Sequence, residues 1–178
     1  LKSLDSKPVN KDIKGVVIKE MPFVDEDCYG VSPNGKYVNV IDWSSIQLQV
    51  KDINTGEVVW KENGIGLDSG TLIANKGKIY LPHHANVFMY FDAKSGETVW
   101  GPERTTEGVV SSSPILADGK IYIINENAVT TVLAAGPKFE ILATNELDGS
   151  YTLSSPVAVD SQLLIRTGTH LYCIDGEG

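Results

Sequence analysis

The sequence predicts an all-β fold, a β-propeller of four-stranded antiparallel blades with about four blades in this chain. Two observations lead to this prediction, a repeat spacing and a repeated turn. Gly-Lys followed by a β-type run recurs every 42 residues, at Gly35, Gly77 and Gly119, and Ser161 holds the next expected position. Each interval contains three or four short runs of β-branched and aromatic residues, without a helical period. That length and strand count are typical of one propeller blade.

Two turns in the chain are near copies of each other. The segments 52–60 and 92–100 each open with aspartate, turn through Thr-Gly or Ser-Gly, and end on tryptophan. The carboxylate of such an aspartate accepts hydrogen bonds from backbone N–H groups further along the turn, and the glycine supplies a positive φ. We expect the two tryptophans to be buried between neighbouring blades. The predicted docking residues are Asp52, Gly56, Trp60, Asp92, Gly96 and Trp100.

The chain divides into a lead-in at 1–28 and propeller repeats at 29–178. Within the lead-in, residues 13–20 predict an outer strand that is placed to complete a blade and so remove an exposed edge. The first three repeats predict strands at 36–41, 46–53 and 58–61; at 71–74, 78–81, 87–92 and 98–100; and at 113–117, 120–125, 129–133 and 139–144. The fourth predicts strands at 156–159, 163–166 and 170–174, and it lacks the outermost one. Residues 13–20 fill that place, or the chain is cut from a larger ring.

The third repeat departs from the pattern of the first two. Residues 134–138, Ala-Ala-Gly-Pro-Lys, replace the aspartate turn, and Ile141 and Leu142 stand where the tryptophan is expected. Packing between the third and fourth blades must therefore use other apolar residues.

Composition excludes several classes of partner. The formal charge is −8, from 23 acidic and 15 basic residues. This balance argues against nucleic-acid binding and against an anionic membrane surface. No apolar run approaches the roughly 20 residues of a transmembrane helix, so no membrane span is predicted. Of the two cysteines, Cys28 and Cys173, the second is expected to point into a blade as a buried thiol.

The sequence contains no motif for nucleophilic or phosphate chemistry. Gly-x-Ser-x-Gly, a phosphate-binding loop and Cys-x-x-Cys are all missing from it. The serines at 111–113 and 154–155 precede the innermost strands, where small residues fit. No catalytic residue and no cofactor is predicted.

The least repetitive residues follow the second strand of each repeat. Such loops lie on one face of a propeller and can carry function on a rigid scaffold. The alternative is that these loops vary only because packing does not constrain them. The predicted binding face consists of Asp42, Trp43, His83, His84, Asn125, Glu126, Asn127, Arg166 and Thr167.

Three of these residues stand at the same position of their repeats, seven residues after the glycine. They are Asp42, His84 and Glu126, and Gly168 takes that place in the fourth repeat. A ring of such side chains is a candidate divalent metal site. The alternative is that they are polar loop residues too far apart to share an ion, and no metal is predicted.

The motif Asp-x-x-Ser/Thr-Gly-Glu-x-Val-Trp resembles the tryptophan-docking repeats of the quinoprotein-like (pyrroloquinoline-quinone-like) β-propellers. The segments at 112–122 and 135–147 resemble the same superfamily, including its non-enzymatic bacterial members. The likeness covers about residues 29–175. It implies radially arranged blades, usually seven or eight, so that four repeats would be half of a ring, one part of a two-chain assembly, or an unusually small ring.

The resemblance implies a non-catalytic scaffold for protein binding or assembly, with a periplasmic or extracellular location. It also implies a protein partner, and a homo-oligomer or a second chain that completes the ring. A quinone-dependent dehydrogenase is one alternative, but its stacked pair of adjacent cysteines is not matched by Cys28 and Cys173, and no acidic cluster matches its calcium ligands. A secreted carbohydrate-associated module, binding sugar beside Trp43 and His84, is the other alternative.

Overall fold

The computed structural model describes residues 26–31, 35–64, 71–83 and 86–176. Within these ranges the chain forms fifteen strands in four antiparallel sheets, and no helix. The predicted all-β propeller architecture is confirmed, and each sheet corresponds to one blade. Strand order within each sheet follows the chain, so each blade is a meander of hairpins.

The bounds of the strands are as follows. The first blade contains β1 (Glu26–Val31), β2 (Tyr37–Asp42), β3 (Gln47–Asp52) and β4 (Val58–Asn63). The second contains β5 (Ile73–Asn75), β6 (Lys78–His83), β7 (Val87–Asp92) and β8 (Thr98–Arg104). The third contains β9 (Ile115–Ala117), β10 (Lys120–Ile124), β11 (Val129–Ala134) and β12 (Ile141–Glu146). The fourth contains β13 (Val157–Val159), β14 (Gln162–Arg166) and β15 (Leu171–Asp175).

The first blade acquires its inner strand from residues that the sequence assigned mainly to the lead-in. β1 begins at Glu26 and pairs antiparallel with β2, with Cys28 opposite Val40. A register shift separates Cys28 from Gly30. The outer strand predicted at 13–20 lies outside the described residues.

The four repeat-marking positions occupy equivalent turns, each just before the second strand of its blade. Gly35, Gly77 and Gly119 have φ of 66°, 74° and 67°. This is the left-handed region that favours glycine, which explains the repeat. In the second, third and fourth blades the preceding residue, Lys76, Asp118 or Asp160, also has a positive φ, but Ser161 does not, so the fourth turn does not require glycine.

The core lies between the blades, because each sheet buries its faces against its neighbours. Between the first and second blades the buried residues are Ile41, Leu48, Val50, Trp60, Ile79, Leu81 and Phe91. Between the second and third they are Tyr80, Phe88, Tyr90, Ile121, Ile123 and Leu133. Alternate residues of β6 and β7 therefore belong to opposite interfaces, as the two-residue period of a strand requires.

Each tryptophan reaches across an interface to the next blade. Trp60 Nε1 donates to the Ala93 carbonyl at 2.8 Å, and Trp100 Nε1 donates to the Gly136 carbonyl at 3.1 Å. Trp60 is buried, whereas Trp100 is only partly buried. A Cβ atom on Gly96 would lie 3.0 Å from the Trp60 ring. Glycine is therefore needed there for the close approach of the ring as well as for its φ of 77°.

The aspartate turns are held by their own carboxylates. Asp52 Oδ1 accepts from the backbone N–H of Asn54 at 2.8 Å and of Thr55 at 3.2 Å. Asp92 Oδ1 accepts in the same way from Lys94 and Ser95, both at 2.9 Å. Lys78 Nζ, 2.8 Å from Asp92 Oδ2, adds an ion pair and is the main cause of the lowered pKa of Asp92.

Serine and threonine join the inner strands of successive blades. The backbone N–H of Thr71 donates to Ser113 Oγ at 3.2 Å, and that of Ser113 donates to Ser155 Oγ at 2.9 Å. Both bonds span 42 residues, so the same contact is repeated at two interfaces. The small residues ahead of the inner strands thus have a hydrogen-bonding role that their size alone did not predict.

The third blade has alanine where the first two have tryptophan. Trp60 pairs with Val50 and Trp100 with Tyr90, whereas the equivalent Val132 pairs with Ala143. The sequence placed Ile141 and Leu142 there, and that prediction is wrong. The same register shift occurs in all three blades, but the turn of the third is one residue longer, since Ala134 N donates to Glu140 O where Asp52 N donates to Glu57 O, and this moves the equivalent position to 143.

Cys173 is exposed, contrary to the expectation of a buried thiol. It lies opposite Leu164 in β14, and the neighbouring Leu171 is 71% exposed. The cause is that no other described blade packs on this side of the fourth sheet, so its apolar residues remain uncovered.

The interface geometry predicts unequal effects for two tryptophans. Trp60→Ala should lower the free energy of unfolding by about 3–5 kcal/mol, because it empties a large core site. Trp43→Ala is the matched control: Trp43 is 41% exposed, and its loss should change stability by less than about 0.5 kcal/mol. Chemical denaturation of both variants measures the difference, and equal effects would contradict the docking role of Trp60.

Candidate binding face

The loops after the second strands share one end of the blades with the connectors between blades. This follows from the meander, since alternate ends of antiparallel strands face the same way. Hydrogen bonds join the two sets: Thr105 N donates to Asn86 O at 2.8 Å, and Thr152 N donates to Glu126 O at 3.0 Å. We call this end the loop face. Its described parts are 43–46 and 64, 86 and 105–114, 125–128 and 147–156, and 167–170.

Asp42 and Trp43 form a fixed corner of the loop face. Asp42 accepts from Ser44 Oγ at 2.6 Å and from Ser45 Oγ at 2.7 Å, and these bonds, Ser44 first, lower the pKa of its carboxyl group. The carboxylate is therefore committed to its own turn. Trp43 stands beside it with its side chain partly exposed.

The second loop is only partly described. His83 ends β6, and its Nε2 lies 3.0 Å from the Gly64 carbonyl, a contact that requires the proton on Nε2. His84 lies outside the described residues, so its predicted part in the binding face stays a prediction.

Asn125 is not available to a partner, which corrects its assignment to the binding surface. It is 2% exposed, its Nδ2 donates to the Glu107 carbonyl at 2.8 Å, and its Oδ1 accepts from two backbone N–H groups of its own loop. Glu126 is half-buried and accepts from Ser111 Oγ at 2.6 Å. Asn127 is exposed.

Thr167 is likewise internal. It is 2% exposed and donates to Asp148 Oδ2 at 2.9 Å. Its neighbour Arg166 is exposed. The side chains that the structure leaves accessible from the predicted set are thus chiefly Trp43, Asn127 and Arg166.

The candidate metal ring of Asp42, His84 and Glu126 stays untested as a set, because His84 is not described. Among the described residues, no group of three or more His, Cys, Asp or Glu is placed to hold a metal ion. The carboxylates of Asp42 and Glu126 each accept from serine hydroxyls of their own surroundings.

Sequence reasoning missed a polar cluster around Asp148. This carboxylate accepts from the hydroxyls of Thr169 and Ser150, the second at 2.8 Å, and His170 Nδ1 lies 3.1 Å from Oδ2. The pKa of Asp148 falls well below its usual range, mainly because of the Thr169 hydroxyl. The cluster joins the connector after β12 to the loop after β14. In the sequence the cluster is marked only by Asp148, Gly149 and Ser150, a pattern that indicates no more than a turn.

Sequence reasoning also missed most of the apolar surface on the loop face. The connectors contribute large exposed side chains because they lie at the same end as the loops, which no sequence period reveals. Tyr151 and Val109 both flank Glu126, through hydrogen bonds of the backbone at Thr152 and Val109. The exposed apolar residues of the face are Trp43 (41%), Ile46 (52%), Val109 (52%), Tyr151 (60%) and Leu153 (54%).

A cleft of about 570 Å³ opens on the same face between the second and third blades. Asn86, Arg104 and Val109 are among the residues that line it. Asn86 Nδ2 donates to the Thr105 carbonyl at 3.0 Å and so braces its wall.

Solved structures share this fold at low sequence identity. BamB from Moraxella catarrhalis matches 82% of this chain with a TM-score of 0.66 and 19% identity. The computationally designed Ika4 protein matches 90% with a TM-score of 0.68 and 9% identity, and a europium-containing methanol dehydrogenase matches 65% with a TM-score of 0.53 and 11% identity. At these identities the likeness shows the β-propeller fold alone. No family model and no curated protein matches the sequence.

The chain corresponds to part of some of these structures and to nearly all of another. The match spans 45% of the BamB chain and 24% of the methanol dehydrogenase chain, but 98% of the Ika4 chain. In the described ranges no helix is long and apolar enough to cross a membrane.

The Asp148 cluster predicts a pH-dependent stability. Because the pKa of Asp148 is depressed in the folded state, its carboxylate stabilises the fold above the unfolded value of about 4, and this contribution is lost as the pH falls. Asp148→Asn should therefore be less stable than wild type at pH 7, with the gap narrowing toward pH 3. Thermal unfolding at both pH values measures the gap.

A second variant separates the hydrogen bonds from the charge. Thr169→Val keeps the carboxylate but removes its first donor, so it should show a smaller loss than Asp148→Asn at pH 7. A gap between wild type and Asp148→Asn that is the same at both pH values would contradict this role.

Proposed function

We propose that this chain is part of a non-catalytic β-propeller scaffold that binds a protein partner through its loop face. The observation that carries the proposal is that five large apolar side chains of this face are exposed, two of them aromatic, Trp43 and Tyr151. Aromatic residues and arginine are enriched at protein interfaces, and a contiguous apolar patch within a polar rim is typical of a docking surface.

Rigidity supports the proposal. Trp43 is carried by the turn that Asp42 braces, and Tyr151 precedes a threonine whose N–H and hydroxyl both bond to neighbouring loops. A face held in place before binding loses little conformational freedom when a partner docks. Asn127 and Arg166 supply polar contacts at its edge.

The proposal excludes quinone catalysis. Similarity to the methanol dehydrogenase supports the fold of this chain, not its chemistry. Cys173 is an exposed, free thiol on the outer strand of the fourth blade. Reconstitution with quinone and calcium, assayed by dye-linked alcohol oxidation, would overturn the proposal if it gave turnover.

We also propose a cellular location for the protein and a way in which its ring of blades is completed. The resemblance to quinoprotein-like propellers favours a periplasmic or extracellular place, which cell fractionation tests. The outer edge of β15 favours pairing with a further strand, from residues 13–20 or from a second chain that completes the ring. The mass in solution distinguishes one chain from two.

The loop face makes a specific prediction about partner capture. The combined change Trp43→Ala, Tyr151→Ala and Arg166→Ala should abolish crosslinked capture of the partner from periplasmic and extracellular fractions, because it removes the anchors of the face. The thermal midpoint should stay within a few degrees of wild type, since none of the three side chains is buried.

The chain offers a matched control on its outer strands. Val58→Ala, Val99→Ala and Leu142→Ala remove three similarly exposed apolar side chains, which are 45%, 38% and 46% exposed, away from the loop face. This variant should capture as wild type does. Capture that survives the first change and is lost with the second would place the interface on the outer strands instead.

A further inference from the structure

The interface between the third and fourth blades contains a cavity of about 560 Å³. Its walls come from the face of the third sheet that carries Tyr122 and Thr130, and from the face of the fourth that carries Leu163, Ile165 and Ile174. This volume is within the range of small-molecule sites. The two preceding interfaces are filled by their own side chains.

Two substitutions distinguish the third interface from the first two. Ala143 stands where Trp60 and Trp100 stand, by the register of the outer strands. The second difference lies on the third strand of each blade, two residues before the partner of the tryptophan position. Leu48 and Phe88 are fully buried there in the first two blades, and Thr130 stands at that position in the third. The interface thus lacks both its tryptophan and a second large apolar side chain.

Thr130 also shows that the cavity suits a polar contact. It is 3% exposed and lines the cavity, and its Oγ1 is buried with no hydrogen-bond partner among the described residues. A buried hydroxyl without a partner is uncommon and costs free energy, so each instance calls for an explanation. Oγ1 itself has almost no accessible surface, so a donor in the cavity would reach it only after the Thr130 side chain rotates.

The preceding interfaces indicate which group fits. In both of them an indole lies between blades and donates its ring N–H to a backbone carbonyl of the next blade, Ala93 or Gly136. Gly176 is the equivalent of Ala93, because its N–H donates to the Ser161 carbonyl as that of Ala93 donates to Gly77. Gly176 lines the cavity.

We propose that this cavity, which we call the third dock, binds an indole group supplied from outside the chain. The ring lies against Tyr122, Leu163 and Ile174, and its N–H donates to the Gly176 carbonyl, with the Thr130 hydroxyl as a second acceptor once its side chain has rotated. The tryptophan side chain of a peptide and a free indole compound share this chemistry. The site is separate from the loop face and does not depend on the function proposed there.

The charge of the residues that line the cavity should determine which indole compounds bind most tightly. Asp118, Asp160 and Asp175 are among its lining residues, and Lys120 Nζ pairs with Asp118 at 3.0 Å. The lining therefore carries more negative than positive charge. An indole with a cationic substituent should bind more tightly than one with an anionic substituent.

Titration of the purified chain, followed by two-dimensional NMR, tests the proposal with four probes. Indole and tryptamine should bind saturably, indole-3-acetate more weakly, and N-methylindole about tenfold more weakly than indole, because it lacks the donor. A blocked Ala-Trp-Ala peptide forms the second arm. Binding of the peptide as well as indole assigns the natural ligand to a tryptophan side chain, and binding of indole alone assigns it to a free compound.

Variants in which a tryptophan side chain of the protein itself fills the cavity are the matched control. Ala143→Trp should abolish binding of every probe and raise the thermal midpoint, since it restores the side chain of the other two interfaces. If that variant does not fold, Ala158→Trp fills the cavity from its other wall. Absence of saturable indole binding, or binding that persists in a folded dock-filled variant, would falsify the proposal.

Discussion

Packing between adjacent blades is the constraint on which the rest of the structure depends. No single four-stranded sheet of this chain can bury both of its faces, so each is stable only against its neighbours. The buried residues divide accordingly into one cluster per interface, not one per sheet. At each of the first two interfaces an indole spans the outer part, and serine hydroxyls join inner strands across two successive interfaces. Both kinds of contact recur at equivalent positions of successive blades, and the turns hold in place the residues that make them.

That constraint explains which features could be predicted from sequence. Turn glycines recur because a left-handed backbone is needed at the same point of each blade, and Trp60 and Trp100 recur because the interfaces need a large flat group. Asn125 and Thr167 were misjudged because a buried asparagine that caps its own loop has the same residue type as an exposed one. Their burial depends on Glu107 and Asp148, which belong to connectors distant in the sequence. Cys173 was misjudged because no other described blade covers its side of the fourth sheet.

The acidic composition has a structural explanation in several places. Asp42, Asp92 and Asp148 each accept several hydrogen bonds, and the pKa of each carboxyl group is lowered, chiefly by Ser44, by Lys78 and by Thr169 respectively. Their charges therefore stabilise loops at neutral pH. The loop face also exposes the aromatic side chains of Trp43 and Tyr151, a residue type that is enriched at protein interfaces.

The interface between the third and fourth blades differs from the first two, and two differences occur there together. If the tryptophan alone were replaced, a large apolar residue would remain at the position of Leu48 and Phe88, and the walls of the cavity would be apolar. Here the position of Leu48 and Phe88 also changes, to a threonine whose hydroxyl is left without a partner. Loss of volume and gain of a buried polar atom in the same slot each destabilise the protein by themselves. A group with a flat ring and a hydrogen-bond donor would offset the lost volume, and this is the chemistry of the indoles that lie in the two neighbouring interfaces.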